Sequence, residues 1–275
     1  MAGNGLDLTP GFPQVLFGTV AARGEAIHLI VARTIWVWFN LLQVDVANQS
    51  LHPEEDKINK PWRPIPDGRI QQTHARALRW FLLPACLALS VLFRVPAAGA
   101  ILTVANLCYH ELGFDSHWFT KNLCNAVGYS CFNAGSSLVM AGTCSLFSPC
   151  SLRFADLSPT RLLASPLNAK FISIQVVNAL LFLTTIHAQD FQDVEGDRAS
   201  GRVSLPIAYP FSSRVSMAIL LPVWSTVIAL ISGLRPVTFA GLVLLGAGVG
   251  AMFYTNSAQR CARDKVAYRA YNVGP

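Results

Sequence analysis

The sequence predicts an all-α protein: a polytopic transmembrane helix bundle of about eight or nine helices. Three observations predict it. Hydrophobic residues make up 52% of the 275-residue chain and charged residues only 13%, about half the charged share of a soluble globular chain. The apolar residues come in long runs, and five or more runs of membrane-spanning length require lipid as solvent. The charged residues collect between those runs, largely at alternate ends.

In chain order the apolar spans read as a short one near 12–22, then 27–47, 78–93, 96–112, 122–142, 171–189, 215–233 and 236–255. Pro84, Pro96 and Pro222 are expected to kink or to start helices, because proline lacks the N–H that a helix interior uses. Gly246 and Gly250 form a small-xxx-small face that predicts close helix packing in the last span. The N-terminus lacks a basic segment before an apolar stretch, so no cleavable signal peptide is expected. Cys86, Cys108, Cys124, Cys131, Cys144, Cys150 and Cys261 form no C-x-x-C pair and fall mostly in apolar runs. They read as small core residues rather than zinc ligands or disulfides.

Alternating spans put the loops 48–77, 113–121 and 190–214 and the tail 256–275 on one side of the bilayer. That side holds most of the basic residues, including Lys57, Lys60, Arg63, Lys121, Arg198 and Arg202. The other side holds few, such as Arg23, Arg94, Arg153, Arg161 and Arg235. The positive-inside rule therefore places the basic side, with its acidic motifs, in the cytoplasm. The net charge of +6 suits anionic headgroups or an anionic substrate. Basic residues that sit mostly in loops between spans argue against nucleic acid as a partner. No pattern specifies an oligomeric state.

Two acidic clusters stand where apolar spans end. The first runs from Asp45 through Asn48, Gln49, His52, Glu54, Glu55 and Asp56 to Lys60 and Arg63. The second is Asp190-Phe-Gln-Asp193-Val-Glu195-Gly-Asp197-Arg198. Positions i, i+3 and i+7 share a helix face, so Asp190, Asp193 and Asp197 project together. Asn48, His52 and Asp56 would do likewise if their helix continued past Pro53, which favours a bend at His52 instead. Carboxylates crowded at a low-dielectric boundary repel one another and need a positive partner. Mg²⁺ suits them, because it takes oxygen ligands and usually binds through a few carboxylates plus phosphate oxygens. Two clusters face to face would hold two or three such ions bridged by a diphosphate, with Lys60, Arg63, Lys121 and Arg198 as counter-charges. Solvated interface charges are the plainer alternative. A helix ending in acids before a basic, proline-containing loop occurs at 45–66 and again at 190–206, an echo compatible with related halves or with coincidence.

At these residues the chain resembles the UbiA superfamily of intramembrane prenyltransferases. The stretches that carry the resemblance are Asp56-Lys-Ile-Asn59-Lys60-Pro61-Trp62-Arg63-Pro64, Lys121-Asn122-x-x-Asn125-x-x-Gly128-Tyr129 and Asp190-x-x-Asp193-Val-Glu195-Gly196-Asp197-Arg198. The resemblance covers most of the chain and implies a single domain over 1–275 with a central cavity and nominally nine spans. It implies Mg²⁺-assisted loss of diphosphate from an isoprenoid substrate in the bilayer. It carries the metal-ligand role to Asn48, Glu55, Asp56, Asp190, Asp193 and Asp197, with Asp56, Asp190 and Asp197 closest to the chemistry. It carries substrate binding to Lys60, Arg63, Tyr109, Lys121 and Arg198. Departures are visible: Gln49 and His52 stand where acids are usual. A Tyr-x-x-x-Lys element appears as Tyr109 followed by Gly113, with Lys121 as a possible substitute. Both ends look short, and a last helix is expected beyond Tyr268 and Tyr271.

The Asn-Gln and Glu-Glu-Asp variant resembles a fungal branch with membrane-bound sesquiterpene cyclases of the fumagillin-pathway type. The expected reaction is cyclisation of farnesyl diphosphate; the alternative is prenyl transfer to an aromatic or other lipophilic acceptor. A transporter or membrane scaffold is the non-enzymatic alternative. An allylic cation needs walls that do not attack it, and Trp36, Trp38, Phe39, Phe132 and Phe182 are candidates, each also readable as packing.

Overall fold

The computed structural model describes residues 27–140, 166–256 and 261–273. The expected span near 12–22, and Cys144 and Cys150, lie outside the described residues. The described elements are α1 (Ile27–Leu51), α2 (Pro53–Asn59), α3 (Gln72–Leu92), α4 (Pro96–Glu111), α5 (Trp118–Leu138) and α6 (Pro166–Thr185). A 3₁₀ turn (Ile186–Gln189) follows, then α7 (Asp190–Ala199), α8 (Leu205–Ala208), α9 (Pro210–Ile231), α10 (Pro236–Thr255) and α11 (Cys261–Val273). Among the described residues β pairing is limited to an isolated bridge between His117 and Val203.

Among the described residues, five stretches are long and apolar enough to cross a membrane: Leu29–Leu51, Gln72–Leu92, Phe171–Ala199, Pro210–Ile231 and Pro236–Thr255. The chain is an integral membrane protein built from helices. Two expected spans fall short of that set. Helix α4 has 16 residues, fewer than the roughly 20 that cross the hydrocarbon. Helix α5 carries Lys121, Asn122, Asn125 and Asn133, which lower its hydropathy. Pro96 opens α4 as expected, whereas Pro84 and Pro222 lie inside α3 and α9. The tail carries a helix, Cys261–Val273, that contains Tyr268 and Tyr271 rather than following them.

The contacts divide the chain into two units. The first comprises Met1–Ser50, Thr73–Cys108 and Ala126–Leu180. Its core gathers Trp36, Val37, Phe93, Leu102, Phe132 and Val139. Trp36 is fully buried and donates from Nε1 to Ser90 Oγ at 2.9 Å. Its ring meets Phe132 edge-on, with centroids 6.1 Å apart. A Cβ on Gly135 would fall on the Trp36 ring, so the glycine admits the indole. Trp36 and Phe132, offered above as cation-facing walls, are thus packing residues, and Trp38 is 40% exposed. Cys86 and Cys131 are buried free thiols, as expected of small core residues.

The second unit comprises Leu51–Gln72, Tyr109–Asn125 and Leu181–Pro275. Helices α9 and α10 approach closely: a Cβ on Gly250 would lie 3.0 Å from Ala218 Cα and from Met217 O. Helix α11 is tied to the same unit. Arg214 grips Asp264 through two bonds of 3.0 and 2.9 Å, and Asn256 donates to the same carboxylate at 3.0 Å. The Arg214 guanidinium also lies 4.7 Å from the centroid of the Phe191 ring, beside the first carboxylate of α7. Burial inside the protein keeps water from this ion pair, so it needs its full set of partners.

Candidate active site

The site lies within the second unit and grows from three segments. The first is α2. Helix α1 stops at Leu51, His52 takes a non-helical φ of −122° and ψ of 51°, and Pro53 opens α2 at a position where its missing N–H costs nothing. The face shared by Asn48, His52 and Asp56 is therefore broken. Asn48 stays in the last turn of α1, in the first unit. Helix α2 buries Glu55, Asp56 and Asn59.

The second segment is α7. After the 3₁₀ turn a new helix begins at Asp190, so Asp190, Asp193 and Asp197 share a face as the spacing requires. Asp190 is 1% and Asp197 0% exposed, while Glu195 points outward. The helix ends in a Schellman motif: Arg202 N–H donates to Asp197 O at 2.8 Å and Gly201 N–H to Arg198 O at 3.2 Å. That motif needs a left-handed residue, and Gly201 supplies it at φ +74°. The chain thereby folds back and sets Arg202 beside Asp197.

The third segment is the 109–125 stretch. Gly113 has φ +69°, which explains why no lysine follows Tyr109 at the usual spacing: this is a turn that favours glycine. Asp115 N–H donates to Tyr109 O at 3.2 Å, and Val203 N–H to Ser116 O at 2.8 Å, pinning this loop to the chain beyond α7. Lys121 follows in the first turn of α5 and is buried.

Asn59 joins α2 to α7. Its Nδ2 donates to Asp193 O and its Oδ1 accepts from Gly196 N–H, both at 3.2 Å. Gly196 is required for this approach, since a Cβ there would fall on the Asn59 amide. The acidic residues of α2 and α7 are thus brought face to face by backbone recognition, with cations placed among the carboxylates. Lys60 pairs with Asp193 at 3.1 Å and Arg63 with Asp56 at 2.8 Å. Lys121 Nζ lies 2.8 Å from Asp190 and 3.3 Å from Asp197. Arg202 bridges Glu55 and Asp115, the latter at 2.6 Å, and stands 3.8 Å from Asp197. His52 Nε2 lies 3.0 Å from the same Asp115 oxygen, so it serves this loop rather than a metal.

Of the expected substrate cations, Lys60, Arg63 and Lys121 join the cluster, and Arg198 does not: it is exposed. Its place is taken by Arg202. Tyr109 stands at the edge of the cluster, its ring edge-on to His110 at 4.8 Å. Arg202, Asp115 and Asn59 also belong to the site, and none of them follows from the spacing of the acidic residues. The signal for Arg202 was present in Gly201, which marks a helix end and predicts the fold-back.

Burial raises the Glu55 carboxyl above its ordinary range even though Arg202 opposes it, and likewise Asp56 against Arg63 and Lys60. For Asp115 burial works in the same direction but is outweighed by the His52 hydrogen bond and by Arg202, which hold it down at about 2. Burial also opposes the Arg202 charge, and its negative neighbours overcome that and raise its pKa.

Among the described residues no three His, Cys, Asp or Glu side chains are gathered closely enough to form a metal cluster unaided. Four buried carboxylate oxygens among the described residues nonetheless lack a hydrogen-bond partner: Asp56 Oδ2, both Asp190 oxygens and Asp197 Oδ1, with Lys121 Nζ in ion-pair range of Asp190 Oδ1 at 2.8 Å. A hard cation that shares its ligands with a diphosphate needs only one or two carboxylates. The donor set therefore fits Mg²⁺ held jointly with a substrate.

Residues 12–273 match the model of the UbiA prenyltransferase family. The chain is 27% identical over 261 residues to the fumagillin beta-trans-bergamotene synthase of Aspergillus fumigatus, covering 94% of this chain and 82% of that protein. It is 31% identical over 243 residues to the polyprenyl transferase eriF of Hericium erinaceus, covering 84% and 76%. The solved structure of a UbiA homolog from Archaeoglobus fulgidus bound to GPP and Mg²⁺ superposes with a TM-score of 0.61, at 13% identity, covering 97% of this chain and 92% of that one.

Proposed function

Because this chain belongs to the UbiA prenyltransferase family, we propose that it ionises an isoprenoid diphosphate with Mg²⁺ and cyclises farnesyl diphosphate to a sesquiterpene. The observation that supports this best is the pairing of α2 with α7 through Asn59, which sets two carboxylate groups from separate segments against each other. The chain is an enzyme of the terpene cyclase or prenyltransferase type and uses isoprenoid diphosphates, which sets the transporter reading aside. We take the family match over 12–273 as one domain and place the acidic motifs on the cytoplasmic side.

Asp56, Asp190 and Asp197, with their unpartnered oxygens, would hold Mg²⁺ together with the substrate diphosphate. When bound, the ion supplies Lewis-acid stabilisation of charge on the leaving group. The protein's own cations do complementary work. Lys121, buried between Asp190 and Asp197, is placed to donate to a diphosphate oxygen as the allylic C–O bond breaks. Lys60 and Arg63 neutralise Asp193 and Asp56 and offer further donors at the same edge. No protein nucleophile is needed.

The test is acceptor-free. Purified protein is incubated with farnesyl diphosphate and Mg²⁺, and the products are resolved by gas chromatography and mass spectrometry. A hydrocarbon product supports cyclisation. Turnover only with an added aromatic or lipophilic acceptor supports prenyl transfer, the reading that the transferase relative favours. No diphosphate release under either condition overturns both.

A further inference from the structure

We propose that Asp115 is a positioning residue that holds the Arg202 guanidinium away from Asp197, keeping the buried Asp197 Oδ1 free for a metal ion. This rests on the diphosphate and Mg²⁺ reading above.

The argument starts from an unmet demand. Asp197 is fully buried, and its Oδ1 has no hydrogen-bond partner. Leaving such an oxygen unpaired is costly. A guanidinium stands next to it, with Nη1 3.8 Å away. That is beyond donating distance. Arginine readily takes a carboxylate through two parallel bonds, so an unrestrained Arg202 would close the remaining gap.

Two carboxylates restrain it. Arg202 Nη1 is bound to Glu55, and Nη2 to Asp115 at 2.6 Å. Asp115 is itself fixed from several sides. His52 Nε2 lies 3.0 Å from its Oδ2. Its N–H is bound to Tyr109 O, and its loop is pinned by Val203 N–H to Ser116 O. The Arg202 backbone cannot drift, since its N–H is held by Asp197 O at 2.8 Å. The guanidinium is therefore close enough to lessen repulsion between Glu55 and Asp197, yet held too far to occupy the one oxygen. Removing the Asp115 charge leaves Glu55 as its main restraint, and Arg202 then competes with a divalent cation for Asp197.

The experiment measures Mn²⁺ binding in the presence of inorganic pyrophosphate, by electron paramagnetic resonance on the full chain in detergent micelles. Asp115→Asn is expected to weaken Mn²⁺ binding about tenfold or more, the scale seen when residues supporting metal ligands are lost. Asp115→Asn combined with Arg202→Gln is expected to restore binding to within about threefold of the unaltered protein, because the competing cation is gone. A generalised structural defect would not be rescued by a second change. If Asp115→Asn fails to fold, Arg202→Lys carries the test. Lysine lacks the planar fork whose separate nitrogens bind Glu55 and Asp115, so the point charge is no longer held at a fixed distance from Asp197 and is expected to weaken Mn²⁺ binding in the same direction. Unchanged Mn²⁺ binding in whichever single variant is measured overturns the proposal, and so does a double variant no better than Asp115→Asn. If the unaltered protein binds no Mn²⁺ with pyrophosphate, the metal reading itself fails, and the proposal with it.

Discussion

Replacing Lys121 with methionine isolates the electrostatic core of the site. The side chains are similar in length, so packing is largely kept while the charge is lost. In the folded protein the ammonium lies 2.8 Å from Asp190 and 3.3 Å from Asp197, and the two carboxylates are 1% and 0% exposed. At an effective dielectric constant near 20, each such pair is worth roughly 5 kcal/mol of Coulomb attraction. The cost of burying the lysine offsets much of that sum. Removing one partner of a buried pair is the better guide, and it costs about 3–5 kcal/mol because the remaining charge is stranded. For a chain of this size that lowers the melting temperature by about 6–20 °C. The assay is thermal unfolding in detergent micelles followed by circular dichroism, with Lys57→Met as the control. Lys57 pairs with Glu54 at 2.8 Å, but the side chains are 57% and 79% exposed, and exposed pairs contribute little. A Lys121→Met protein that melts with the control would refute the claim that this lysine compensates two buried carboxylates.

Asp190→Ala and Asp197→Ala are each expected to abolish diphosphate release while the protein still inserts and melts cooperatively; release at the unaltered rate in both would remove these residues from the mechanism. Gly196→Ala places a methyl group on the Asn59 amide, so α2 and α7 must separate, with a loss of about 1–3 kcal/mol readable by thermal unfolding together with falling turnover. Asp115 gives a pH signature. Its carboxyl is lowered from 3.8 to about 2, so it adds stability above about pH 4 that is lost as pH falls towards 2, about 2 kcal/mol in total. A series of melting curves between pH 5 and 2.5 should show that loss in the unaltered protein and a flatter profile in Asp115→Asn.

The parts of this site legible in the sequence are those that obey local periodicity. Asp190, Asp193 and Asp197 share a face because they lie within one helix, and the break at His52 follows from Pro53. Lipid as solvent made the long helices equally plain, since few alternatives satisfy the backbone there. What stayed hidden depends on contacts between segments far apart in the chain. Asn59 reads as an ordinary polar residue until Gly196, 137 positions away, offers its N–H. Arg202 reads as a topogenic charge in a loop because its partners, Glu55 and Asp115, come from two other segments. Arg198 adjoins Asp197 in sequence, yet it is exposed. Adjacent helical residues point about 100° apart, so nearness in sequence works against sharing a face. The Schellman turn reverses that expectation: Gly201 brings the residue after it back to the level of Asp197. A basic residue directly after a helix-ending glycine is therefore a better candidate for an acidic helix face than one inside the helix beside the last acid.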